Sequence, residues 1–153
     1  MRTKKGFTLV EMLIVIVVIG VLSSMMMISS TESINSAKAS DIITSLNNIK
    51  IAALAHYVDS FDEYNKTTPA TLDIANIKPY LNNGSSLPSE YGVTQNSTNK
   101  KLWFATYTFT NAGNNSDIKS KLAGRAQSSG LIKEAKSNAD PYTDGNTVYL
   151  QIR

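Results

Sequence analysis

The hydrophobic pattern of the chain changes character along its length. From Phe7 to Ile28 the sequence FTLVEMLIVIVVIGVLSSMMMI is apolar on every side, with one charge, Glu11, in 22 residues. At about 1.5 Å per residue a helix of this length reaches about 33 Å, enough to cross a hydrocarbon core of about 30 Å. Beyond Ile28 the apolar positions contract to a stripe. Ile42, Leu46, Ile49, Ala53 and Tyr57 follow at steps of four, three, four and four, and Ile43, Leu54, Val58 and Phe61 widen it. One helix is therefore predicted from about Thr8 to about Ser60, breaking before the Asn65–Pro69 stretch. A helix of about 50 residues is odd inside an ordinary globular domain. It is natural where one half spans a membrane and the other lines a head.

The rest of the chain reads as short elements. Leu72, Ile74, Ile77, Tyr80 and Leu81 form a short apolar motif, and Pro79 stops any regular helix through it. Asn82–Ser86 and Gln95–Lys100 read as turns or surface loops. Leu102 to Thr110 is the clearest strand, with Trp103, Ala105, Tyr107 and Phe109 on one face, which should pack on the carboxyl half of the long helix. After a turn over Asn111–Asn115, Ser116 or Asp117 can cap a short helix holding Ile118 and Leu122. That helix breaks near Ser128-Ser129-Gly130 and can resume to Ser137. Asp140–Asn146 is turn-rich, and Thr147–Ile152 is a last strand with Val148, Leu150 and Ile152 on one face. The expected fold class is α+β: a long helix on a small antiparallel sheet with an inserted short helix.

Charge sharpens the membrane reading. Arg2, Lys4 and Lys5 are three of fifteen basic residues; the other twelve equal the twelve acidic ones, so the chain from Phe7 onward is formally neutral. The basic balance thus belongs to the first six residues. Three cations before an apolar run hold the amino terminus on the cytoplasmic side. The chain has no cysteine, which removes disulfides, thiol catalysis and thiolate metal sites.

Glu11 is the unusual residue. A carboxylate inside a bilayer costs roughly 2.5–3.5 kcal/mol on insertion scales, so it persists where it has a partner. The first cation after Lys5 is Lys38, too far along one helix to reach it. Its partner is expected from another subunit. A secretory signal peptide fits poorly, because no small-x-small site ends the run.

The residues K-K-G-F-T-L-V-E followed by an unbroken apolar stretch resemble the class III leader of type IV prepilins and type II secretion pseudopilins. The resemblance covers Met1 to about Phe61 well and the remainder only in general layout. It implies a pilin-like fold and three parts: a leader of residues 1–6, a long helix over 7–60 with 7–28 as the transmembrane and assembly segment, and a head over 61–153. It implies that a membrane prepilin peptidase cuts between Gly6 and Phe7, that the new amino group of Phe7 is methylated, and that Glu11 pairs with that amino group on a neighbouring subunit. Gly6 suits an extended backbone in a protease cleft. The implied partners are further copies in a helical filament, the peptidase, an inner-membrane assembly platform, its ATPase and the membrane. The implied location is the inner or cytoplasmic membrane for the precursor and a surface filament once assembled, serving adhesion, motility or DNA uptake; a pseudopilin is the rival. One departure stands out: many such chains carry a proline late in the apolar run, and here Leu22–Ile28 has none.

Other candidates carry blander readings. His56 is the single histidine and is expected to be structural or solvated. Lys119, Lys121, Arg125, Lys133 and Lys136 lie close in sequence, but such a cluster is more often a solvated face than a nucleic-acid stripe, so nucleic acid is not an expected partner. Asp140 and Asp144 sit four apart in an oxygen-rich loop without the EF-hand pattern, and a turn is the better reading than a calcium site. With no Gly-rich phosphate loop, nucleophile elbow or metal-ligand cluster, neither an enzyme nor a cofactor is expected. A monomeric membrane-anchored binding module remains a third reading, and it has no need of Glu11.

Overall fold

The computed structural model describes residues 6–66, 70–81, 87–110 and 115–153, with backbone only at 28 and 29. The leader cations Arg2, Lys4 and Lys5, Pro69, the Asn82–Ser86 turn and most of the Asn111–Asn115 turn lie outside the described residues. The chain forms two compact units, Met1–Asn35 and Ser36–Arg153.

Helix α1 runs unbroken over Leu9–Asp59, close to the predicted span. No proline interrupts it, and Gly20 is tolerated at a cost of roughly 1 kcal/mol relative to Ala. Its first part is long and apolar enough to cross a membrane, and none of that window is buried within the chain. From Ser36 onward α1 belongs to the second unit, where Ala39, Ile42, Leu46, Ile49, Ala52 and Ala53 are buried. Steps of three and four keep these side chains on one face. Each fully buried Leu or Ile contributes about 1.5–3 kcal/mol by leaving water. The widening residues do not all join that face. Leu54, Val58 and Phe61 remain exposed, as does Ile51, because the sheet covers only one side of the helix.

After α1 come a single turn α2, Phe61–Tyr64, and a second, α3, Ile74–Ile77. The carboxylate of Asp73 accepts a hydrogen bond from the Ile74 amide at the head of α3. Pro79 then tightens the chain into the 3-10 turn Lys78–Tyr80.

The sheet has four antiparallel strands: β1 (Tyr91–Gln95), β2 (Trp103–Thr108), β3 (Leu131–Ile132) and β4 (Thr147–Gln151), in the order β1-β2-β4-β3. β2 and β4 fall where the alternation placed them. Trp103 and Ala105 join the main core, and the Trp103 indole packs edge-on against Tyr57 of α1 and Tyr64 of α2 at 5.4 and 4.6 Å. Phe104, on the opposite face, is also fully buried. β1 was not expected: Gln95 closes a strand rather than opening a loop.

Helix α4 covers Ser116–Ser129, with Ile118, Leu122 and Ala126 buried. Asn115 rather than Ser116 or Asp117 occupies its cap position, and Asp117 sits in the first turn, where the helix dipole favours an anion. Gly130 ends it in the left-handed region at φ 68°, which a glycine enters without penalty. The helix does not resume. Leu131 and Ile132 pair with Leu150 and Tyr149 instead, burying Leu131. The outcome is the α+β, pilin-like layout that the sequence predicts.

Candidate functional site

The residues singled out at the amino end are contiguous and accessible. A side chain at Gly6 would meet no atom of the described residues within 4 Å, and Phe7 is 80% exposed. Among the described residues of the first unit, none covers the Gly6–Phe7 bond.

Helix α1 starts two residues later, and its start explains how Glu11 is held. Four amides at a helix amino terminus have no partner within the helix. The Thr8 hydroxyl accepts from the Glu11 amide at 3.2 Å, and the Glu11 carboxylate accepts from the Thr8 amide at 2.7 Å and from the Thr8 hydroxyl at 2.8 Å. This is a reciprocal capping box, T-x-x-E. Glu11 is thus partnered inside its own chain. The sequence reading sought its partner only among cations and missed Thr8, although the Thr8–Glu11 spacing is itself a helix-start signature.

The structure therefore brings together a bare Gly–Phe bond, a capped helix start with a carboxylate at its third position, and an apolar helix of membrane-spanning length. Residues 1–27 match the prokaryotic N-terminal methylation motif. This is the class III prepilin-type leader, so the chain carries the processing signal of a type IV pilin-like or pseudopilin precursor. The motif marks structural subunits rather than a known enzyme family, and with the apolar helix it fits a membrane-anchored precursor. No curated protein and no solved structure gives a match.

Several of the remaining candidates have partners within the second unit. The five cations do not form one solvated stripe. Arg125 lies half-buried and donates to Ser40 Oγ at 2.6 Å and Ser36 Oγ at 2.7 Å, fastening α4 to α1. Lys119 donates to Asn146 Oδ1 at 2.9 Å and sits over the Phe109 ring. Lys133 pairs with Asp140 at 3.0 Å, and Lys136 with Glu134 at 2.6 Å. Hydrogen bonding and charge from Lys133 hold the Asp140 carboxyl below its ordinary range, and Asp140 raises Lys133 in turn.

His56 has a partner: its Nε2 lies 2.9 Å from the Tyr64 hydroxyl, and its ring meets those of Tyr64 and Tyr80. It is part of an aromatic cluster that closes the carboxyl end of α1. In the Asp140–Asn146 loop, Tyr142 is buried and donates its hydroxyl to the Gly145 carbonyl at 3.1 Å, which fixes the turn into β4.

Proposed function

We propose that this chain is the subunit of a type IV pilus-like filament, cut between Gly6 and Phe7, methylated on the new Phe7 amino group, and assembled through its amino-terminal helix. The observation that carries the reading is the methylation motif over residues 1–27 lying on an exposed bond and an exposed apolar helix. Cleavage creates an ammonium group four residues from Glu11. In a subunit entering the filament, Glu11 shares its carboxylate between the Thr8 cap and the Phe7 amino group of a neighbour. A charge-assisted bond of this kind is roughly twice as strong as a neutral one, and more so away from water. Apolar helix surfaces then exchange lipid for protein contacts as the filament is drawn out.

The partners this reading requires are a prepilin peptidase, an inner-membrane platform protein, an assembly ATPase and further copies of the chain. Adhesion, motility or DNA uptake are the uses such a surface filament serves. The same leader is carried by type II secretion pseudopilins, whose filament stays in the envelope, and this is the second reading.

Mass spectrometry of the amino-terminal peptide tests both, on the membrane fraction and on material sheared from cells. An N-methylated Phe7 start in the sheared fraction supports the surface filament. The same peptide confined to the envelope supports the pseudopilin. A start near Met25, or an uncut Met1, would sink both.

A further inference from the structure

Near the point where α1 enters the second unit, a cleft of about 290 Å³ opens between that helix, the head of β1, β2 and α4. Ile42 of α1 and Ile118 of α4, both buried, give it an apolar lining. Its aromatic lining is a cross-strand pair. Tyr91 of β1 and Tyr107 of β2 stand opposite each other in the sheet register, with ring centroids 4.9 Å apart. Both are half-buried, so each keeps part of its surface open.

The charges around the cleft are unbalanced. Among the described lining residues Asp41 of α1 and Glu90, just before β1, are anionic, and Lys38 is the cation. Lys38 is exposed on α1, three residues before Asp41. The tyrosines register the excess of negative charge. Burial is the main cause that raises the Tyr91 hydroxyl; a hydrogen bond with Ser45 opposes it, and the charges of Asp41 and Glu90 add to it. Tyr107 is raised by burial, then by Tyr91 and by Glu90. Two carboxylates from separate elements therefore act on one phenol.

We propose that this cleft binds the cationic head of an alkylamine or alkylguanidine, with the apolar stem against Ile42 and Ile118 and the charge held by the two tyrosines and the two carboxylates. Three properties select that class of ligand. Aromatic rings attract cations, and more strongly where water is partly excluded. Asp41 and Glu90 repel an anion, and a neutral ligand would leave their charge unanswered. The volume lies at the lower end of small-molecule sites, which begin at about 300 Å³. It suits one head and stem rather than a helix or a strand. Lys38 is a competitor for the same carboxylates, so its removal should favour the ligand. The site lies wholly in the second unit, and it stands or falls without the filament.

Methyl NMR of the full chain tests this, in a non-ionic detergent, since a choline headgroup would itself compete. With isoleucine δ1 methyls labelled, n-butylammonium and n-butylguanidinium are titrated at constant ionic strength, and butyrate is the anionic control. Saturable shifts are expected at Ile42 and Ile118, with Ile132 and Ile152, which do not line the cleft, unmoved. Asp41→Asn and Glu90→Gln should each weaken binding several-fold, and Lys38→Gln should tighten it; Trp103 fluorescence checks that each variant keeps its fold. Lysine and arginine capped at both ends separate the sources. Binding of these as well assigns the cleft to a side chain of a polypeptide, and binding of the free amines alone assigns it to a small amine; either supports the cationic site. Absence of saturation at Ile42 and Ile118 would overturn it. So would equal shifts with butyrate, unchanged affinity in both carboxylate variants, or weaker binding in Lys38→Gln.

Discussion

Thr8 and Glu11 hold each other at the head of α1: the Thr8 hydroxyl donates to Glu11 Oε2 at 2.8 Å, and the Glu11 amide donates back to Thr8 Oγ1 at 3.2 Å. Glu11 therefore has two possible roles, a helix cap within the subunit and an anion for a neighbour's amino group. Two substitutions tell them apart. Glutamine can complete a capping box but carries no charge, whereas alanine does neither. Glu11→Gln should keep the helix start, insertion and processing, and should still lose most of the sheared filament. Glu11→Ala should add a helix-start penalty of about 1 kcal/mol. Normal filament yield from Glu11→Gln, measured against the membrane pool, would sink the pairing role and leave the cap alone.

Gly6 offers a second test. With no side chain, it lets the backbone lie extended in a protease cleft, and no described residue lies within 4 Å of where a Cβ would stand. A bulky residue such as Gly6→Val would thus be harmless to the chain and harmful only in the enzyme. Full-length precursor should accumulate in the membrane, with the head melting as in the parent. Mature protein starting at Phe7 from this variant would remove the peptidase assignment.

Arg125 fastens α4 to α1 through two serine hydroxyls, with a further contact to the Ser36 carbonyl at 3.5 Å. Hydrogen bonds from a charged donor contribute about 1.5–3 kcal/mol each when well formed, less where partly solvated. Arg125→Ala should therefore lower stability by roughly 1–3 kcal/mol. Arg125→Lys should rescue little, because an ammonium cannot span both hydroxyls as the guanidinium fork does. Denaturant midpoints followed by Trp103 fluorescence in detergent would check this; a full rescue by Lys would mean that only the charge matters.

Several features were legible before the structure because each has one strong local cause. α1 follows from an unbroken apolar run that becomes a stripe, and β2 and β4 follow from aromatic and aliphatic alternation bounded by turns. β1 was not legible, since YGVTQ contains one large aliphatic residue and is half-buried throughout. Its glycine has a reason visible only in three dimensions: a Cβ at Gly92 would stand 3.0 Å from Thr106 Oγ1 of the paired strand. β3 is two residues long, too short for any period to register. The exposed side of α1 misled for another reason. Apolar residues on both sides of a helix look alike in sequence, and only the sheet's position tells Leu46, in the core, from Val58, outside it. Arg125 looked like a surface cation because nothing local signals a pair of serines some 85 to 89 residues away. The Thr8–Glu11 box, by contrast, is legible in the T-x-x-E spacing alone, which carries a helix-start signal beside the charge of the carboxylate.

Tyr142 sets an expectation for alkaline pH. Its side chain is 1% exposed, and burial, with a smaller contribution from Asp144, pushes its hydroxyl up to about 12. Burial likewise raises Tyr64, Tyr91 and Tyr107. In the unfolded chain a tyrosine titrates near 10. A raised value in the folded state means that folding favours the protonated phenol, so the contribution is fully present below pH about 10. It is lost as the pH rises from about 10 toward about 12, where the unfolded chain gains by ionising and the folded one does not. For Tyr142 alone the loss is on the order of 2 kcal/mol. Tyr142→Phe has no proton to lose and should flatten the alkaline part of the profile. At neutral pH it should be weaker by about 1 kcal/mol, through loss of the bond to the Gly145 carbonyl. Denaturant midpoints of parent and variant from pH 7 to 12 decide the matter: parallel curves above pH 10 would show that Tyr142 does not control the alkaline transition.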